Sequence, residues 1–138
     1  MDYGYTIQKL KIAELIKEND MIIACADAPS QWAFFWGGAI GGALSAAKCK
    51  QYLMSVNTEE IRLFDLDKKT GDYLNTYSFI SRSDIIKANV AGAFNAKTIN
   101  IKTVKSGNLR FSTANNFKGF QQKETITTVK EFLKTIKK

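Results

Sequence analysis

GFQQKETITTVKEFLKTIKK, residues 119–138, reads as one amphipathic helix, and the rest of the chain is organised around it. At about 100° per residue, Gln122, Thr125, Ile126, Val129, Phe132, Leu133 and Ile136 share one face. Lys123, Glu124, Lys130, Glu131, Lys134 and Lys137 share the other. A helix of this kind draws most of its stability from an apolar surface it can cover. Burying Ile126, Val129, Phe132, Leu133 and Ile136 is worth about 1.5–3 kcal/mol per side chain before entropy.

The residues before it supply that surface. A strand through Val104, the turn Lys105-Ser106-Gly107-Asn108, and Leu109 and Phe111 set between Arg110 and Ser112 make a hairpin. Ile99 and Ile101 alternate with Asn100 and Lys102, and Ile86, Ala88 and Val90 with Lys87 and Asn89, the period of a sheet with one wet face. Further back, 52–56 and 61–66 are short strands rich in β-formers around the polar turn 57–60, and 73–80 returns as another. The connection between the last two, Asp67-Lys68-Lys69-Thr70-Gly71-Asp72, has a glycine where positive φ is needed. Met21 to Ala26 (MIIACA) is apolar on both alternating faces, as in a strand covered on each side, and Pro29 ends it. An N-terminal helix is expected over 6–18, with Thr6 as N-cap, Ile12, Leu15 and Ile16 as its apolar edge, and Asn19-Asp20 as its stop.

These elements predict a mainly β (α+β) fold: a seven-stranded antiparallel, partly open barrel, capped by a helix over 119–138 and preceded by an extra helix. The 138 residues form one expected domain, 1–138, able to bury a core without metal or disulfide. MDYGYTIQKL lacks the basic end and apolar run of a signal peptide, and Cys25 and Cys49 have no CxxC spacing, so a reducing, cytoplasmic compartment is expected.

One stretch fits no strand. Residues 28–47, between the first and second strands, carry no charge, and QWAFFWGGAIGGALSAA sets four aromatics against a glycine-rich tail. Its polar and glycine content argues against a membrane span. Three readings stay open. Gly37 and Gly41, and Gly38 and Gly42, recur every four positions, so a helix here would offer a smooth stripe to a protein partner or a second copy, with Ile40 and Leu44 beside it. Alternatively Trp32, Phe34, Phe35 and Trp36 settle at a membrane interface. In the third reading the aromatics fold back onto the domain's own core.

Residues 1–100 balance eleven cations against eleven anions, whereas 101–138 carry nine against two, so the net charge of +7 sits in the final hairpin and helix. A patch with Lys102, Lys105, Arg110 and Lys118 would attract an anionic surface through a field that salt screens. Only three of the twenty cations are arginine, which disfavours specific nucleic-acid reading. No histidine is present, Cys25 has no adjacent cation, and Cys49 between Lys48 and Lys50 has no readable base. Asp65, Asp67 and Asp72 lack the remaining EF-hand ligands, and GGAIGG has no Lys-Ser/Thr in Walker register. No catalysis, cofactor or metal is expected.

Seven short strands followed by one amphipathic helix is the order of the pleckstrin-homology-like (PH-like) barrel. KQYLMSVNTEEIRLFDLDKKTGD with FISRSDI, TINIKT, NLRFST and TTVKEFLKTIKK resembles bacterial PH-like domains of uncharacterised small proteins, over roughly 21–138. The resemblance implies a scaffold that binds phosphoinositide headgroups, peptides or proteins through loops at its open end. Lipid-binding members place cations on the first two strands. MIIACA has none and only Lys48 and Lys50 precede the second strand, so phosphoinositide-specific binding is not expected. The reading is a non-enzymatic binding module that engages a protein partner or itself through 32–47. Its alternative is a peripheral membrane binder that uses the same aromatics and the basic patch.

Overall fold

The computed structural model describes residues 2–28, 50–92 and 94–136. In chain order these form α1 (Tyr3–Ile12), β1 (Met21–Asp27), β2 (Gln51–Val56), β3 (Glu60–Leu66), β4 (Tyr73–Ser81), a 3-10 turn (Arg82–Asp84), β5 (Ile85–Ala91), β6 (Ala96–Thr103), β7 (Asn108–Ala114), β8 (Asn116–Phe117), β9 (Phe120–Gln121) and α2 (Lys123–Leu133). The first seven strands make one antiparallel sheet in the order β4-β3-β2-β1-β7-β6-β5. β1 pairs with β2 from Met21↔Val56 to Ala26↔Gln51, but meets β7 only at Ala26↔Ser112 and Asp27↔Phe111. It therefore bridges two half-sheets, and the edges β4 and β5 leave the barrel open.

Between the half-sheets lies the main core, with Ile23, Met54, Leu63, Ile80, Ile85, Val90, Ile99, Ile101 and Phe111 among its members. Ile126, Val129, Leu133 and Ile136 close it, as the periodicity of the C-terminal stretch predicts. Phe132 is only half-buried, with the Arg82 guanidinium 6.0 Å from its ring centre.

The helix is shorter than expected. It starts at Lys123 rather than near Gly119, because Lys118 (φ 50°) and Gly119 (φ 89°) form the tight turn of a small hairpin, β8–β9. Positive φ at two successive residues is the signature of such a turn and cannot continue a right-handed helix. Phe117 and Phe120 from this hairpin pack 5.9 and 5.7 Å from the ring of Tyr3.

The N-terminal helix also shifts. It spans Tyr3–Ile12, not 6–18, and its cap is Asp2, whose Oδ1 accepts the Tyr5 N–H at 2.9 Å. Thr6 is buried and donates its hydroxyl to the Gly71 carbonyl at 2.8 Å. Glu14, with φ 60°, turns the chain out of the helix, which leaves Ile12 82% exposed while Leu15 and Ile16 return to the protein. Tyr3, Thr6, Ile7 and Leu10, at i, i+3, i+4 and i+7, form the face that packs.

That face covers the outside of β1, β2 and β3. Tyr3, Leu10 and Ile16 bury Ala24, Leu53, Phe64 and Leu66 in a second cluster. β1 thus sends Ile23 and Cys25 inward and Ile22 and Ala24 outward, each side into apolar cover, as the unbroken run MIIACA requires.

Candidate anion-binding face

No helix covers the outer face of β5, β6 and β7 among the described residues. Register sets its side chains in two cross-strand rows. Lys87 stands opposite Lys102, and Lys102 opposite Asn108; Asn89 stands opposite Asn100, and Asn100 opposite Arg110. With strands about 4.8 Å apart, three cations and three carboxamides occupy a patch roughly 10 Å across. They line a shallow depression of about 280 Å³ together with Ile101 and Leu109, and no acidic residue lines it.

The sequence produces this face by strict alternation. Ile99, Ile101 and Phe111 point inward and are buried, so Asn100, Lys102 and Arg110 must point outward. On β5 a register shift between Ile85 and Lys87 breaks the alternation, so the inward residues are Ile85, Ala88 and Val90, and Ile86 is only half-buried. The shift sets Lys87 opposite Lys102.

Like charges directly opposite one another on a sheet are destabilising. Here nothing among the described residues offsets them: the ion pairs are Lys11–Glu18, Arg62–Glu60 and Lys134–Glu131, none on this face. Asn100 Nδ2 donates to Asn89 Oδ1 at 3.0 Å, which leaves the Asn89 amide hydrogens available to an anion.

Of the basic residues expected to act together, Lys102 and Arg110 do share the face. Lys105 lies in the β6–β7 turn, where its N–H donates to Asp84 Oδ1 at 3.1 Å. Lys118 sits in the β8–β9 turn near α1, away from the group. Lys87, Asn89, Asn100 and Asn108 were not singled out from sequence, although the alternation of β5 and β6 carries the signal for the first three.

Trp32, Phe34, Phe35, Trp36, Gly37, Gly38, Ile40, Gly41, Gly42 and Leu44 lie outside the described residues. The two roots of their connection are described. Asp27 N–H donates to the Lys50 carbonyl at 2.9 Å, and Ala28 N–H to the Arg110 carbonyl at 3.2 Å. The connection therefore leaves and returns at one point, beside a residue of the basic face.

Other chemistry-bearing groups are held in structural roles. Cys25 is buried, and burial, aided by the charge of Asp27, pushes its thiol far up, away from the reactive thiolate. Asp67 accepts the N–H groups of Lys69 and Thr70 at 2.8 and 3.0 Å, which shapes the β3–β4 turn and holds its carboxyl below the usual range. No group of three or more His, Cys, Asp or Glu among the described residues could hold a metal ion, and no described helix is long and apolar enough to cross a membrane.

No protein-family model matches the chain, and no curated protein does. Among solved structures, the hSac2 domain from the human phosphoinositide phosphatase Sac2 is similar at a TM-score of 0.51 and 12% identity, over 96% of this chain and 82% of that one. At that identity the likeness concerns the fold alone. The seven-stranded open barrel, stoppered by α2 and backed by α1, is a PH-like fold.

Proposed function

We propose that this chain is a non-enzymatic PH-like binding module that attaches to an anionic membrane surface through the outer face of β5–β7. The observation that carries the reading is the set Lys87, Lys102 and Arg110, which among the described residues has no acidic partner and no covering element, with two of the cations directly opposite each other. Such a set is unfavourable in isolation and favourable against negative charge. Each cation near an anionic bilayer contributes about 1 kcal/mol. The sequence that follows Ala28, whose N–H meets the Arg110 carbonyl, carries Trp32, Phe34, Phe35 and Trp36, aromatics of the kind that settle at a membrane interface.

Co-sedimentation with vesicles tests this. The protein is expected to bind phosphatidylcholine–phosphatidylserine vesicles, to ignore pure phosphatidylcholine, and to release as salt rises. Reversing Lys87, Lys102 and Arg110 to Glu should remove at least about 3 kcal/mol, on the order of a hundredfold in partition. Equal binding by the triple variant would overturn the proposal.

A second reading rests on the shared root of the connection. The Asp27 N–H donates to the Lys50 carbonyl, so the described chain on either side of 29–49 meets at one point of the barrel, and a connection rooted in this way is a candidate contact for a protein partner or a second copy of the chain. Trp32 and Trp36 are the two tryptophans of the sequence. A red shift of tryptophan emission on dilution, in step with a falling apparent mass, would favour this reading. Emission unchanged by dilution in a monomer would exclude self-association.

A further inference from the structure

The β5–β6 hairpin that carries Lys87, Asn89, Asn100 and Lys102 ends in a loop with an unusual residue at its tip. Phe94 is 93% exposed and has φ 58°, a backbone conformation bulky side chains rarely adopt. The loop around it is built. Gly92, at φ 118°, has no room for a side chain, since a Cβ would come within 2.6 Å of the Ala96 carbonyl oxygen. Lys97 Nζ donates to the Gly92 carbonyl at 3.2 Å. From across the barrel end, Asn115 Nδ2 donates to the Phe94 carbonyl at 3.2 Å. The Asn115 N–H reaches the Asn95 carbonyl, and the Asn116 N–H reaches Asn95 Oδ1, each at 2.9 Å. Hydrogen bonds thus hold an aromatic ring in water in a disfavoured conformation, where it adds nothing to the core. Observed strain of this kind is a pointer to function.

We infer that Phe94 is a membrane anchor, entering the interfacial region of an anionic bilayer while neighbouring cations meet the headgroups. The inference rests on the membrane reading proposed above and names the side chain that adds depth to it. Two observations favour a bilayer over a protein as the occupant. The surroundings of Phe94 are polar, with Asn95, Asn115 and Asn116 at its base, whereas a protein hot spot needs a packed apolar patch around its aromatic. The other exposed aromatics of comparable size on the sheet, Tyr77 and Phe79, lie on β4 at the opposite edge. Charge beside the loop also suits anionic lipid: Lys97 donates to its Gly92 carbonyl, Lys97, Lys123 and Lys130 line a groove together with Gly92 and Asn115 in which Glu131 is the acid, and Lys118 follows two residues after Asn116, which is hydrogen-bonded to Asn95. A single ring at a loop tip with cations about it is the pattern of an interfacial contact, in which the ring sinks below the headgroups and long basic side chains stay among them.

The test is vesicle co-sedimentation of the full chain carrying F94N or F94W, with thermal unfolding as a control. Asparagine tolerates positive φ, so F94N is expected to melt at or above the wild-type temperature while its partition onto phosphatidylcholine–phosphatidylserine vesicles falls about tenfold. F94W is expected to bind at least as tightly as wild type. If F94N keeps wild-type partition, or F94W binds as weakly as F94N, the anchor role is overturned and attachment by charge alone survives. If the wild-type protein fails to sediment with these vesicles at any salt concentration, the membrane reading and the anchor fall together.

Discussion

The side-chain amide of Gln122 pairs with the backbone of Ala24 as a neighbouring strand would: its Oε1 accepts the Ala24 N–H at 2.8 Å and its Nε2 donates to the Ala24 carbonyl at 3.0 Å. The same Nε2 lies 2.8 Å from Thr113 Oγ1 and 2.9 Å from the Ala114 carbonyl. β1 and β7 pair only at Ala26 and Asp27, and below that point they separate. Gln122 sits in the gap at the start of α2 and satisfies the buried backbone groups that separation leaves open.

Replacing it should therefore cost more than an ordinary surface cap. Q122A leaves the buried Ala24 N–H without an acceptor, and an unsatisfied buried group costs about 1–3 kcal/mol, so a loss of about that size is expected. Q122E, which keeps the shape but loses the donor and buries a charge, should be at least as damaging at neutral pH and recover partly in acid, where the carboxyl is protonated. Urea midpoints at neutral and acidic pH measure both. A Q122A variant within half a kcal/mol of wild type would show that water closes the seam instead.

The stopper role of α2 concentrates in three side chains. Val129 and Leu133 are fully buried and Ile126 nearly so, all against β1 and β5. L133A should cost about 2–5 kcal/mol, a large share of a typical domain's stability. F132A, at a half-buried position, should cost clearly less. Equal losses at 132 and 133 in denaturant titrations would mean that the helix faces the barrel differently.

α1 is a wall of the molecule rather than an appendage. Leu10 is buried on Leu53 and Phe64, and the Thr6 hydroxyl is spent on the Gly71 carbonyl. L10A is expected to destabilise by about 2–5 kcal/mol. T6V, which preserves shape and removes the hydroxyl, should cost about 1–3 kcal/mol. Deleting residues 2–16 should expose the outer faces of β1–β3 and yield a protein that binds hydrophobic dyes and aggregates. A deletion variant that stays monomeric with native near-ultraviolet dichroism would contradict this.

Much of this architecture was legible because burial leaves a period in the sequence. The face Ile126, Val129, Leu133, Ile136 and the doubly apolar MIIACA are direct records of what each element touches. What escaped reading depends on single backbone angles. Glu14 and Lys118 adopt positive φ without being glycine, so nothing in residue type marked where α1 stops, and Gly119 alone did not show that the turn before α2 closes a hairpin. The site divides the same way. Alternation puts Lys87, Lys102 and Arg110 each on a wet face, but that Lys87 stands directly opposite Lys102 depends on a register shift at Ile85–Lys87, which no periodic template anticipates. Phe94 carries no periodic signal, because its exposure at the hairpin tip is set by Gly92 and Asn115, from connections far apart in sequence.

Alkaline pH should weaken the fold through groups that are buried in their neutral form. Burial pushes the Tyr3 phenol up from 10.0 to about 12, with the nearby Cys25 adding to it. Burial raises Tyr52 and Cys25 as well, helped by Asp27, which accepts the Tyr52 hydroxyl at 3.2 Å. In the unfolded chain these groups ionise at their ordinary values, 9.0 for the thiol and 10.0 for the phenols. Below those values both states are protonated and the stability they confer is intact. Above them the unfolded chain gives up protons that the folded one keeps, so stability falls as pH rises, and Tyr3 stops contributing once pH passes about 12. Urea midpoints should be level up to about pH 9 and decline beyond it. Y3F removes one contributor: near neutrality it should lose only about 0.5–1.5 kcal/mol for its hydrogen bond to Gln51, and its alkaline decline should be shallower than that of wild type. Parallel declines in the two proteins would mean that Tyr3 ionises freely and that its ring does not sit sealed between α1 and the β8–β9 hairpin.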